Sequence, residues 1–308
     1  EKNSTAALIR GVLSAAAQRG YKVGGFDAYM TSNVLGGSGL SSSAAYEVSG
    51  GTIVNHFFCG SELDAVEIAK IGQYAEREYF GKPCGLLDQM ASSVGGIIAV
   101  DFADTSAPVV EQVQYSLADA GYGLCIVDTG GDHKALTGAY AAITEEMGAV
   151  ARHFEKAVLN EVDEAAFMKA IPELRAAYGD RAVLRSMHYF AETKRAVAEK
   201  DALVRDDFDG FLELVKASGK SAAMYLQNVY AGISDRQQEI VLSLALAEYL
   251  LQGQGAVRVH GGGFAGTIQC FVPTGMVPEF KAGMEAVLGE GKCTVLTIRP
   301  EGGAILLK

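Results

Sequence analysis

Residues 33–48 read NVLGGSGLSSSAAYEV: glycines at 36, 37 and 39, serines at 41, 42 and 43, then an apolar, helix-favouring run. A flexible loop set directly against a helix start has a physical use. The first N–H groups of a helix lack intrahelical partners and carry the positive end of the macrodipole, so they attract anions. Glycine lets the backbone approach such an anion closely. Serine hydroxyls can cap the helix, bond phosphate oxygens or ligate Mg²⁺. The string is not a Walker A loop, which needs a lysine after its last glycine, and it is not G-x-G-x-x-G. A plain strand-to-helix turn with a serine cap would use the same residues, so the loop composition alone leaves both readings open.

The rest of the composition narrows the field. The 308 residues are 49% hydrophobic, enough for two ordinary domains with a real core. A net charge of -11 argues against a broad grip on nucleic acid or an anionic membrane and favours a small ligand. No apolar run reaches bilayer-spanning length and the opening residues lack a signal-peptide layout, so a cytoplasmic protein is expected. The five cysteines are scattered, with no C-x-x-C pair, and read as reduced, mostly buried thiols.

Working outward from the loop, Phe26, Ala28 and Met30 alternate with polar or neutral neighbours, which predicts a strand leading into it. A helix is expected over 42–57, then another from an N-cap at Ser61, then a short one over 86–94. Strands are expected at 97–102 and 122–129. After Asp132 the texture changes to long amphipathic helices, at roughly 138–158, 161–172, 181–200, 207–228 and 234–251. Strands at 256–261, 266–272 and 293–300 close the chain, with a helix between the last two. The layout predicts an α+β protein in two halves, divided near 130–135, with a ligand cleft between them.

Three strings carry a resemblance. The first, NVLGGSGLSSSAA, resembles the phosphate-binding motif of the GHMP small-molecule kinases, and its GLSSSA form is similar to the galactokinases. GQYAEREYFGKPCGLLDQM (72–90) resembles the galactokinase segment that ends in a catalytic aspartate, and VRVHGGGFAGTIQCFVP (257–273) resembles the family's third, glycine-rich motif. All three occur in the family's order. The resemblance implies a GHMP kinase two-domain fold, with a ribosomal protein S5 domain 2-like N-terminal half (1–132, ATP-binding) and a ferredoxin-like, helical C-terminal half (133–308). It implies ATP-dependent phosphorylation of the anomeric hydroxyl of galactose to galactose 1-phosphate, with ATP and Mg²⁺ as cofactors, in a monomer.

On that resemblance Asp88 is the catalytic base or anchor for the sugar hydroxyl, and a helix-capping carboxylate is the plain alternative. Gly36, Gly37, Ser38, Gly39, Leu40, Ser41, Ser42 and Ser43, with Gly261, Gly262 and Gly263, would surround the nucleotide. Glu76 would ligate Mg²⁺ with Ser42, against the alternative of a solvated helix-face charge. Tyr140 resembles a tyrosine that contacts the sugar. His188 resembles a structural histidine.

Several residues depart from the family pattern. Ala141–Glu146 stand where an Asn and paired arginines follow the tyrosine, which bears on the choice of galactose. Asp132 or His133 could supply replacement polar contacts, or simply form a polar turn. Leu35 replaces a proline and Ala265 a glycine. The family's first motif, with G-E-H-T-D and a catalytic arginine, is not matched, so this chain by itself is expected to have little or no activity. The competing functions are phosphorylation of another sugar such as N-acetylgalactosamine, and a non-catalytic sensor that binds ATP and sugar.

Overall fold

The computed structural model describes residues 2–34, 40–131, 136–230 and 236–306, with the side chain of Thr137 set aside. The chain divides into two compact units, Glu1–Gln114 with Ile298–Lys308, and Tyr115–Thr297.

The first unit is built around three packed helices. Helix α1 (Thr5–Gln18) starts at Ser4, whose hydroxyl accepts from the Ala7 N–H at 3.1 Å, and buries Leu8, Val12, Ala15 and Ala16 along one face. Helix α2 (Ser42–Phe58) and helix α3 (Ala65–Tyr74) complete the core through Val54, Cys59 and Ile71. The cap of α3 is Asp64, accepting from the Glu67 N–H at 2.8 Å, whereas Ser61 sits in the turn before it with φ 60°. A π-helical turn (Ala75–Phe80) continues α3. Gly11 of α1 lies against it so closely that a Cβ there would meet the Ala75 Cα at 2.6 Å. Helix α4 (Leu87–Val94) leads into an antiparallel hairpin, β1 (Ile97–Asp101) and β2 (Val109–Val113), whose apolar residues pack on Ala69, Leu86 and Met90. The final segment returns to this unit: the Gly96 N–H donates to the Arg299 carbonyl and the Gln112 amide to the Pro300 carbonyl, both at 2.8 Å.

The strand expected at Phe26–Met30 is absent. Residues 21–32 carry no ladder, and Tyr29 is 94% exposed. Alternating side chains define a strand only when a neighbour takes up the backbone N–H and C=O groups, and none of the described residues does so.

The second unit is an antiparallel sheet in the order β4-β5-β3-β6, made of β3 (Tyr122–Asp128), β4 (Ala256–Val259), β5 (Thr267–Pro273) and β6 (Cys293–Leu296). Pairing with β5 and β6 places β3 in this unit. The helices are α5 (Thr137–His153), α6 (Glu164–Val204), α7 (Phe208–Ser221), α8 (Glu239–Leu251) and α9 (Val277–Leu288). Gly179, at φ 82° and ψ 167°, breaks α6, which accounts for the two helices expected there. The sheet core joins Val127, Ile268, Val272 and Val259 to Ile240, Phe280 and Met284. His188 is buried on α6, its Nδ1 2.9 Å from the Ser221 hydroxyl. Four cysteines are buried, Cys84 is half-buried, and all five are free thiols. Among the described residues no helix is long and apolar enough to cross a membrane.

Candidate active site

Gly36, Gly37, Ser38 and Gly39 of the opening loop lie outside the described residues, as do Leu35, Asp132 and His133. The remaining sequence-predicted residues fall into one group in each unit.

In the first unit Leu40 leads into Ser41, the N-cap residue of α2. Ser41 adopts the left-handed region, φ 53° and ψ 53°, and its side chain caps nothing. Its hydroxyl donates instead to Asp88 Oδ2 at 2.6 Å. Asp88 is exposed in the first turn of α4, where a carboxylate suits the helix dipole. Ser42 and Ser43 form the first turn of α2. The N–H groups there remain free of a side-chain cap.

Glu76 is not a solvated helix charge. It is buried in the π turn, a helix form often found at functional positions. Its Oε1 accepts from Lys82 Nζ and its Oε2 from Gln89 Nε2, both at 2.9 Å. Ser43 and Cys84 lie within hydrogen-bonding reach. Burial alone would raise this carboxyl, but Lys82 and the surrounding donors outweigh it and hold Glu76 below the usual carboxylate range. The same surroundings push the Cys84 thiol up to about 12, through burial and the neighbouring Glu76.

Sequence reasoning missed Glu47, Gln89 and Lys82. Gln89 donates to Glu47 Oε2 at 3.0 Å as well as to Glu76, so one amide bridges two buried carboxyl groups from α2 and the π turn. Gly72 makes room for this: a Cβ there would meet Glu47 Cβ at 3.2 Å and Gln89 Cγ at 3.3 Å. The available signal was Glu47 itself, a lone acid in an apolar helix.

A hard cation would find a suitable donor type here, an ionised carboxylate beside serine hydroxyls. Among the described residues there is no cluster of three or more His, Cys, Asp or Glu able to hold a metal alone. Mg²⁺ bound together with nucleotide phosphates needs only one or two protein oxygens.

In the second unit the glycine stretch turns the chain from β4 to β5. Gly261 (φ 66°) and Gly263 (φ 78°) use backbone conformations that side chains resist, and Gly262 lies against the Tyr140 ring. The Tyr140 hydroxyl donates to the Gly263 carbonyl at 2.6 Å, while its ring meets Phe264 edge-on with centroids 5.2 Å apart. Asn228, also missed from sequence, donates to the Gly262 carbonyl at 3.2 Å and accepts from the Phe264 N–H. Tyr140 thus braces the glycine loop. Ala265 packs with Leu136 and Phe264.

Comparison with known proteins agrees with these strings. Residues 7–96 match the GHMP kinases N terminal domain. The chain is 32% identical over 263 residues to a galactokinase of Actinobacillus pleuropneumoniae serotype 5b (strain L20), and 31% identical to another from Actinobacillus pleuropneumoniae. Each alignment covers 83% of this chain and 64% of the relative, so the chain spans less than two thirds of the length of these relatives. The crystal structure of Lactococcus lactis galactokinase complexed with galactose superposes with a TM-score of 0.78 at 23% identity, over 98% of this chain and 77% of that one. The fold is also similar to that of L. major mevalonate kinase in complex with R-mevalonate, with a TM-score of 0.61 at 14% identity, over 96% of this chain and 77% of that one. Residues 7–96 thus match a GHMP kinase N-terminal domain, the chain is similar in sequence to galactokinases over 83% of its length, and it shares their fold.

Proposed function

We propose that the chain acts in ATP-dependent phosphorylation of the anomeric hydroxyl of galactose, giving galactose 1-phosphate and ADP. The observation that carries this reading is the 2.6 Å hydrogen bond from Ser41 to Asp88, which joins the serine-rich start of α2 to the aspartate of the second motif. The galactokinase relatives supply the sugar.

In this reading the free N–H groups at the start of α2, with Gly36, Gly37, Ser38, Gly39, Leu40 and Ser41–Ser43, receive the phosphates of ATP. Gly261, Gly262 and Gly263 provide a second backbone surface for the nucleotide. Asp88 takes the proton of the anomeric hydroxyl as its oxygen bonds to the γ-phosphorus and the bond from that phosphorus to ADP breaks. Tyr140 serves the sugar site, in addition to bracing the loop. Glu76 with Ser42 would hold Mg²⁺, which would supply charge neutralisation on the phosphates. An ATP-binding first portion followed by a C-terminal portion, a monomeric state and a cytoplasmic setting, where ATP is available, belong to the same proposal.

The test is ADP release by the purified chain with Mg²⁺, ATP and a panel of sugars, beside calorimetric titration with Mg·ATP. Galactose-dependent release that is lost in Asp88→Asn supports the reading. Release driven by N-acetylgalactosamine alone would replace the sugar. Mg·ATP and galactose binding without turnover fits both the low activity expected of this chain without the first motif and a non-catalytic sensor.

A further inference from the structure

Glu47 and Gln89 are fully buried, yet each keeps one oxygen without a partner: Glu47 Oε1 and Gln89 Oε1. Their other atoms already meet, Gln89 Nε2 donating to Glu47 Oε2 at 3.0 Å. A carboxylic acid and a primary amide pair edge to edge through two parallel hydrogen bonds, N–H to acid carbonyl and acid O–H to amide carbonyl. One arm of that pair is present. A proton on Glu47 Oε1 directed at Gln89 Oε1 forms the other and satisfies both orphaned atoms at once. Leaving two buried acceptors unpaired would cost more than holding one proton.

The amide cannot turn over to escape this arrangement. A flipped Gln89 would aim its oxygen at Glu76, whose ionised carboxylate accepts from the same Nε2 at 2.9 Å. The groups facing Glu47 are Glu76 and Lys82 from the π turn and the segment after it, Asp88 and Gln89 from α4, and Cys84 nearby. Burial pushes the Glu47 carboxyl up to about 8, against the Gln89 hydrogen bond and with Glu76 and Asp88 adding to the rise. That direction agrees with the orphaned oxygens.

We propose that Glu47 is a positioning residue: as a neutral acid it clamps the Gln89 amide, which holds the Glu76 carboxylate and the first turn of α4 that presents Asp88. Glu47 is itself fully buried. Its reach is through Gln89 alone. The pairing stands on the hydrogen bonds, whereas what it positions rests on the phosphotransfer reading above.

The isosteres separate the possibilities. In Glu47→Gln an amide–amide pair replaces the acid–amide pair with the same two arms. In Glu47→Leu both arms are lost. Infrared difference spectra of the wild-type chain against Glu47→Gln at neutral pH should show a protonated carboxyl C=O band that disappears in the variant. Calorimetry should give Glu47→Gln an Mg·ATP affinity within about threefold of wild type and Glu47→Leu an affinity lower by about tenfold or more. Thermal melting confirms that each variant is folded, and Glu47→Gln with the spectra decides the matter if Glu47→Leu is not. Absence of the band, or Glu47→Gln as impaired as Glu47→Leu, overturns the clamp. A band with no Mg·ATP binding by the wild-type chain overturns the phosphotransfer reading and the positioning role, and leaves the pair as a structural element.

Discussion

The Ser41 hydroxyl donates to Asp88 Oδ2 at 2.6 Å across 47 positions of sequence, and so does not cap the helix that Ser41 begins. A serine at an N-cap ordinarily accepts from the second or third N–H of its helix. Here Ser41 lies in the left-handed region with its hydroxyl directed to Asp88 of α4, so its side chain caps none of those N–H groups.

Ser41→Gly and Ser41→Ala both remove that bond, and each should lower galactose-dependent ADP release, by about tenfold if an ordinary charge-assisted hydrogen bond is lost. They should differ in stability. Glycine relieves the left-handed conformation and alanine does not, so urea denaturation should find Ser41→Gly more stable than Ser41→Ala by about 1 kcal/mol. Equal stabilities would show that the φ of 53° carries no strain.

Lys82→Met removes the cation 2.9 Å from buried Glu76. The Glu76 carboxyl titrates lower in the folded chain than its ordinary 4.5, so its contribution to stability is present above 4.5 and is lost as pH falls through the lower folded value. The variant should lose about 1–3 kcal/mol at neutral pH, the smaller end reflecting the exposure of Lys82, and should show a weaker fall in stability on acidification. Chemical denaturation across pH 3–7 reads both. A variant with an unchanged acid limb would count against this pairing.

Glu47 gives the opposite slope. Its folded value of about 8 lies above its ordinary 4.5, so the folded chain binds a proton that the unfolded chain releases. Stability from this group is full below 4.5 and is lost as pH rises toward 8. Glu47→Gln has no proton to lose there and should give a flatter stability profile over that interval. Parallel profiles for the two chains would mean that Glu47 is already ionised at neutral pH.

Gly261 and Gly263 both have positive φ, but only Gly263 is enclosed: a Cβ there would lie 2.2 Å from the Asn228 carbonyl oxygen, whereas nothing lies within 4 Å at Gly261. Gly261→Ala should cost about 1 kcal/mol from backbone strain. Gly263→Ala should cost more, and should disturb the Tyr140 bond to its carbonyl. Comparing the two melting midpoints, together with Tyr140 hydroxyl exchange by NMR, tests the loop brace. Equal penalties would contradict it.

Much of the scaffold was legible in the chain because its signals are local. The apolar alternation of YGLCIVD and TIQCFVP predicts the strands that become β3 and β5, while Asp88 and the serines stand out only through the family resemblance. The same local signals misled where partners decide the outcome. Phe26, Ala28 and Met30 alternate properly but have no strand beside them, while Thr5–Gln18 and Val109–Val113 form elements that the expectations passed over.

The sequence by itself carried the resemblance to GHMP kinases, through its three motif strings, and most of the helix and strand inventory, since periodicity acts over a few residues to a few turns. Tertiary structure decided which polar groups meet. Glu76 became a buried, ionised carboxylate because Lys82 and Gln89 reach it, and Glu47 became significant because burial and an amide edge leave its proton one place to go. Tyr140, singled out from sequence as a sugar contact, also braces the glycine loop because the Gly263 carbonyl lies within reach of its hydroxyl. Those outcomes depend on desolvation and on hydrogen-bond partners brought together by packing, which no local pattern encodes.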